Sequence, residues 1–381
     1  MRSLRAAAVV AAISAVLAVQ PAASATVSST PMPSASFDGT VVATARSGAV
    51  IYVAGAFTHV TDSTGTHTRR NLAAVSAVTG RVLPWSPSTN STVYALTVSK
   101  GRVYAGGSFT RVNGVPVARL VQLYASTGRL VRSFRPRVDY RVRALVLSPS
   151  TLYAGGRFTK VNGHRREHLA AFSRASGRLT GWAPRADKSV RVLRRRGPQV
   201  FVGGAFNSIN GVARTRNVAV VGAGTGAVYR GFRSPVRYLV TDIRLTRTRV
   251  FIAKAGPGGA VVATGNRGGV AWGRSFDGDV DALSILDGVL YAGGHFAHRC
   301  RTNRVSSTNG NCLDAGQVPA GRLAALSLTG TFGTWSPSAD STVGVLTLAS
   351  VPSLHRLAAG GAFQTFHGSQ RQPGFALFRS R

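Results

Sequence analysis

The chain has a single glutamate, Glu167, in 381 residues, and only four of its 47 basic residues are lysines. One glutamate excludes a paired-glutamate glycosidase and leaves paired aspartates as a formal option only. There is no G-x-S-x-G elbow and no phosphate-binding P-loop, so nothing specifies a nucleophile with its base. No window beyond the first 25 residues keeps a helical period for three turns, and no later apolar run could span a bilayer. Cysteine is limited to Cys300 and Cys312.

What is abundant is arginine and glycine. The formal charge is +35, a field that attracts anionic polymers and weakens with salt. The preference for arginine over lysine, beside much Ala, Gly and Val, also fits a GC-rich coding bias. Arginines are spread through the whole chain, clustered locally at 194–196 and 299–304, and no specific nucleic-acid motif accompanies them.

The glycines sit in a repeat. VYAGGSFTRVNG at 103–114 returns as LYAGGRFTKVNG at 152–163 and VFVGGAFNSING at 200–211. Weaker copies lie at 51–60, 290–298 and 357–368, and VFIAKAGPGG at 250–259 fills a degenerate slot. The anchoring residues Phe57, Phe109, Phe158, Phe206, Phe296 and Phe363 are spaced by 52, 49, 48, 90 and 67 residues. The gap of 90 covers two periods, which makes seven repeats. Repeats of 40–50 residues built from short strands predict a β-propeller.

Each unit reads as four strands, seen in the second copy at 93–98, 102–109, 119–125 and 130–134. A Thr-Gly or Ser-Gly turn recurs before the last strand, followed by Trp85, Phe134, Trp182, Phe232 or Trp335 and then a proline. The aromatic is expected to pack between neighbouring blades. The paired glycines cost strand stability unless two backbones approach closely there. The last copy lacks its outer strand, and 33–41 resembles 335–343. The expected fold is therefore all-β: a single seven-bladed β-propeller of four-stranded blades, closed by the N-terminal strand.

Residues 1–25 read as a secretory signal peptide, with Arg2 and Arg5, an apolar run at 6–19 and Ala23-Ser24-Ala25 at the cleavage site. The propeller then occupies 26–381, with blade 5 degenerate and blade 6 carrying an insertion at 297–320. No cysteine follows the cleavage site to take a lipid anchor. In an exported chain, Cys300 and Cys312 are most simply a disulfide stapling the insertion. Zinc held by His295, His298, Cys300 and Cys312 is the alternative, weakened because His295 fills the variable slot of the GGxF motif.

Two further motifs invite metal readings. HRREH at 164–168 has the H-x-x-E-H spacing but lies in a loop between strands, where its histidines do not share a helix face. FDGDVD at 276–281 starts like a calcium loop through Asp277, Asp279 and Asp281, yet Ala282 and Gly288 stand where glycine and glutamate belong. Asp277 shares a slot with Asp38, Asn90, Asp139, Asp187 and Asp340, where short side chains cap turns onto their own backbone. Calcium at the three aspartates is left open, and neither a cofactor nor a bound metal is assigned.

The second position of the inner strand is the variable one: Val42, Tyr94, Arg143, Arg191, Asp242, Asp281 and Gly344. Inner strands line the channel, so Tyr94, Arg143, Arg191, Asp242 and Asp281 are the candidate ligand-binding residues at its mouth. An inter-blade pair of Arg191 with Asp242 is the structural alternative. The loops between second and third strands should open on the same face.

The unit GGxFTxVNG…R..LxxL…TGxL…F.P resembles the bacterial delta-60 repeat, a family of exported β-propellers, over roughly 30–370. The TG…W element is also similar to quinoprotein-like propellers, whose quinone and acidic ligands find no counterpart here. The delta-60 resemblance implies fold and export, with no catalytic residues to carry over. The expected function is a secreted interaction module for an anionic extracellular ligand, such as a cell-wall polymer or polysaccharide. The alternative is an extracellular enzyme acting on a glycan or other anionic polymer at the channel mouth.

Overall fold

The computed structural model describes residues 27–313 and 317–381. The signal peptide expected at 1–25 lies outside the described residues. Among them there is no α-helix, and the only helical pieces are 3-10 turns at Ala213–Thr215 and Pro352–Leu354.

Antiparallel sheets follow one another along the chain. The first consists of Thr40–Ser47, Val50–Ala56 and Leu72–Ser76, and the second of Val93–Ser99, Arg102–Gly107 and Leu120–Tyr124. The third is Val142–Leu147, Thr151–Gly156 and Leu169–Ser173, and the fourth is Val190–Arg196, Gln199–Gly204 and Val218–Gly222. The fifth has four strands, Val240–Leu245, Val250–Lys254, Ala260–Thr264 and Val270–Ser275. The sixth is Val280–Leu286, Val289–Gly294 and Leu323–Ser327, and the seventh is Val345–Val351, Arg356–Gly361 and Phe375–Phe378. The first strand of each sheet lies beside the first strand of the next, and Val345–Val351 lies beside Thr40–Ser47.

The core sits between successive sheets rather than within one. Tyr52, Leu72 and Trp85 of the first pack with Val93, Val103 and Val121 of the second. Val41, Ile51 and Val53 of the first pack with Ala358, Phe375 and Leu377 of the seventh. Both faces of a second strand are thus covered, which is why it reads as an unbroken apolar run rather than an alternating one.

The glycine pairs now have a cause. A Cβ on the first glycine would strike the valine of the next sheet's first strand: Gly106 against Val142 at 2.5 Å, Gly155 against Val190 at 2.5 Å, and Gly360 against Val41 at 2.4 Å. A Cβ on the second glycine would strike a carbonyl of its own sheet, as Gly107 meets Thr92 O at 2.3 Å and Gly156 meets Arg141 O at 2.1 Å. Close approach of backbone is what these positions require.

The four-stranded expectation needs correction. In the first four sheets and the sixth, the outer segment contributes a single pair, Val75–Val82, Leu123–Leu130, Phe172–Leu179, Val221–Val228 or Leu326–Phe332, and in the seventh the N-terminal segment contributes two, Val27–Ser380 and Met32–Leu377. Outside the seventh, the segment then leaves the ladder to deliver its aromatic. Trp85 Nε1 donates to Tyr124 O at 3.1 Å and Trp182 Nε1 to Gly222 O at 2.8 Å, each latching one sheet to the next. The sheet with the weakest sequence motif is the one with a full fourth strand.

The loop after the second strand is a short hairpin in the first, second, third and seventh sheets, anchored by one buried residue while most of its other residues stay exposed. Val60, Val112, Val161, Ile209 and Phe366 are fully buried at 0% exposure, and Val112, Val161 and Ile209 bridge Thr89, Val138 and Ala186. HRREH lies on one of them, with His164 paired to Val161 and Glu167 bound by Arg165. The Asx slot caps these loops instead of its own backbone. Asp38 accepts from Thr58 N at 2.8 Å, Asn90 from Thr110 N at 2.9 Å, and Asp277 from Ala297 N at 2.8 Å.

Residues 27–32 run along the last strand, and Ser36–Phe37 then pair with His59–Asp62 of the loop after the first sheet's second strand. Ser28 N donates to Arg379 O at 2.9 Å and Met32 N to Leu377 O at 2.8 Å, and Trp335 Nε1 donates to Ser28 O at 3.0 Å. The sulfurs of Cys300 and Cys312 stand 2.00 Å apart, at disulfide distance. Within the loop they close, Val305 sits against Gly258 and Gly310 against Pro257, so this insertion covers the fifth sheet where its own hairpin is missing.

Candidate functional site

Every first strand carries a β-bulge at the same place. The ladder skips one residue between Val41 and Ala43, Val93 and Ala95, Val142 and Ala144, and Val190 and Val192. It skips again between Val240 and Asp242, Val280 and Ala282, and Val345 and Thr347. A bulge leaves its extra residue unpaired and re-aims the side chain. The seven extra residues, Val42, Tyr94, Arg143, Arg191, Thr241, Asp281 and Leu346, line one cavity of about 280 Å³.

Four candidates are therefore brought together: Tyr94, Arg143, Arg191 and Asp281. Asp242 is not among them. It lies one residue beyond the bulge, buried at 6% exposure, where Arg194 Nη2 reaches it at 2.6 Å and Arg244 Nη1 at 3.0 Å. Its carboxylate also accepts from Ile243 N and Leu283 N. The expected pairing of Arg191 with Asp242 is replaced by this Arg194–Asp242–Arg244 cluster. Burial, with Arg194 adding to it, lowers Arg244 to about 10 against the pull of Asp242. Gly344 likewise gives way to Leu346. The signal for the correct slot is the buried valine that opens each first strand, because the channel residue is the one directly after it.

The cavity has two chemical sides. Arg143 lies 4.9 Å over the Tyr94 ring, and its buried Nε has no partner. Neither Arg143 nor Arg191 forms an ion pair or a hydrogen bond among the described residues. Desolvation in the cavity, with Arg191 nearby, lowers Arg143 to about 10. Desolvation also lowers Arg191, with Arg157 adding to it and Asp281 and Asp279 opposing. Across the ring, burial and the neighbouring Asp279 raise Asp281 to about 7 against Arg191. Asp279 itself accepts from Gly256 N at 2.8 Å, and its own N donates to His295 Nδ1. Among the described residues no group of three or more His, Cys, Asp or Glu is arranged to hold a metal ion.

A carboxyl raised in the folded state keeps its proton while the unfolded chain has lost it. Stability should therefore fall as pH rises from 3.8 to about 7, and level off above. Asp38 and Asp62 act in a lower window. Burial alone would raise them, but hydrogen bonds from His59 and Thr58, and from Thr64 and Val82, hold each at about 2. Their contribution is present above 3.8 and lost as pH falls towards 2. Melting curves across pH 4–7 should show a downward slope that Asp281→Asn flattens. An identical slope in that variant would show that Asp281 does not set it.

Comparison with known proteins comes out on the side of fold. The family described as "Domain of unknown function (DUF5122) beta-propeller" matches residues 101–126. No curated protein matches the chain. Among solved structures, the WD40 repeats of RRP9 are 12% identical with a TM-score of 0.56, covering 92% of this chain and 99% of that one. The WD40 β-propeller domain of Doa1 is 12% identical with a TM-score of 0.54, covering 91% and 96%. The computationally designed Ika8 protein is 14% identical with a TM-score of 0.51, covering 90% and 98%. Among the described residues no helix is long and apolar enough to cross a membrane. The chain is an all-β protein of β-propeller type.

Proposed function

We propose that the protein is a secreted, seven-bladed propeller of 26–381, closed by its N-terminal segment, that holds an anionic extracellular ligand at the channel mouth. A cell-wall polymer or an acidic polysaccharide is the kind of partner this reading implies. The seven-bladed, closed ring is supported by the repeated contact of a strand glycine with the next sheet's valine. Gly360 makes that contact with Val41, the last sheet with the first. Export is supported by the leader at 1–25 and by the cysteine pair.

The observation that carries the ligand reading is the pair Arg143 and Arg191, two cations facing one cavity with no hydrogen bond or ion pair among the described residues, Arg143 having only the Tyr94 ring beside it. Charge that is neither paired nor freely solvated is costly, and an anion would satisfy it. Polygalacturonate binding should fall about 100-fold when both become Ala, at about tenfold for each charge-assisted contact. The exposed pair Arg132 and Arg230 changed to Ala should cost no more than about twofold. Equal losses from both pairs would mean attraction by diffuse charge, and the mouth would be structural.

One observation favours the enzymatic alternative. Asp281, near 7 in a cavity, has the pKa that a general acid or base needs. Turnover of an acidic glycan that vanishes in Asp281→Asn would establish it, and binding without product would leave the interaction module.

A further inference from the structure

The reading of the mouth as an anion site leaves open which anion it fits, and the rest of the ring bears on that. Arg143 and Arg191 are adjacent in ring order, Thr241 follows, and then Asp281; Leu346, Val42 and Tyr94 complete the circuit. A ligand that fills this cavity meets two guanidinium groups on one arc, a carboxyl on another and apolar surface between them. Asp281 lines the cavity with Asp279 beside it, so once Asp281 loses its proton, above about pH 7, the acidic arc repels further negative charge.

That distribution disfavours a compact dianion. A phosphate or sulfate small enough to enter would bring its second charge towards Asp281 and Asp279. A single carboxylate suits the arginine arc, because guanidinium forks match planar carboxylates. The Asp281 side then calls for a group that donates hydrogen bonds, and Leu346 and Val42 call for C–H surface. A cavity of about 280 Å³ is at the small end for ligand sites. Resting on the proposed function, we propose that the mouth holds one sugar-acid residue, with its carboxylate on Arg143 and Arg191 and its hydroxyls on Asp281.

Calorimetric titration with small probes, above about pH 7 so that Asp281 is ionised, tests this. Glucuronate should bind at least about tenfold more tightly than glucose, which lacks the charge, and than cyclohexanecarboxylate, which lacks the hydroxyls. Methyl phosphate should also bind more weakly than glucuronate. Asp281→Asn, with its melting temperature checked against the parent, should lose much of the preference for glucuronate over methyl phosphate, because the repulsion is gone. Equal affinity of the parent for glucuronate and cyclohexanecarboxylate, or for glucuronate and methyl phosphate, would overturn the assignment. So would failure of glucuronate to bind. If Arg143→Ala with Arg191→Ala still weakens polygalacturonate binding, such a result sinks only the sugar-acid assignment; if it does not, the anion site itself is wrong.

Discussion

Removing residues 27–37 should leave the protein aggregated, or melting about 10 °C or more below the parent. Val27, Ala35 and Phe37 lose fully or nearly fully buried positions, at 0%, 0% and 2% exposure. The Phe37 ring packs at 4.8 Å from Phe57 and 5.8 Å from Phe375, joining the first sheet to the seventh. Gln372 Nε2 loses its contacts with Ser34 O and Ala35 O, and Trp335 loses the acceptor of its indole N–H. The strand Phe375–Phe378 would then present an open, apolar edge, which is an association hazard. Differential scanning calorimetry with size-exclusion chromatography reads both outcomes. A monomer with an unchanged melt would show that the segment is an ornament and that the ring closes without it.

Gly156→Ala should cost about 3 kcal/mol or more, although it adds one methyl group. The new Cβ would lie 2.1 Å from Arg141 O and 3.1 Å from the Phe158 ring. A backbone carbonyl cannot move aside as a flexible side chain can, so the strand pair must open. Gly181→Ala is the matched control, since nothing lies within 4 Å of its Cβ; it should stay within about 0.5 kcal/mol. Chemical denaturation of both variants measures the difference. Equal stabilities would mean that the glycine pairs are tolerated rather than required.

Much of this was legible in the chain because repetition averages out local ambiguity. The sheets, the close approach at the glycine pairs, the aromatic latch and the N-terminal segment beside the last strand all follow from residues that recur at one offset. What the sequence concealed are contacts made at a distance. Asp38 and Asn90 cap loops some twenty residues on rather than their own turns, because the second strand returns its end to the start of the first. Most outer strands shrink to a single pair, yet Trp272 on the full fourth strand of the fifth sheet still donates to Leu328 O of the next, so the aromatic latch does not set the strand's length. The cavity slot was missed in the fifth sheet by one position, at Asp242 for Thr241, where a slip of one exchanges the faces of a strand, and in the seventh by two, at Gly344 for Leu346, because the bulge was not counted. Counting from the opening valine, Val240 or Val345, places Thr241 and Leu346 correctly.

The central claim is that binding occurs in the cavity lined by the seven bulge residues and is not merely a property of a strongly basic surface. Leu346→Trp tests it without altering charge. Leu346 lines the cavity of about 280 Å³ with Arg143, Arg191 and Asp281, and an indole there would occupy the space that a ligand needs. Polygalacturonate affinity at fixed ionic strength should fall at least about tenfold, with the melting temperature unchanged. Affinity equal to the parent's, in a variant that melts like the parent, would place binding elsewhere and contradict the account.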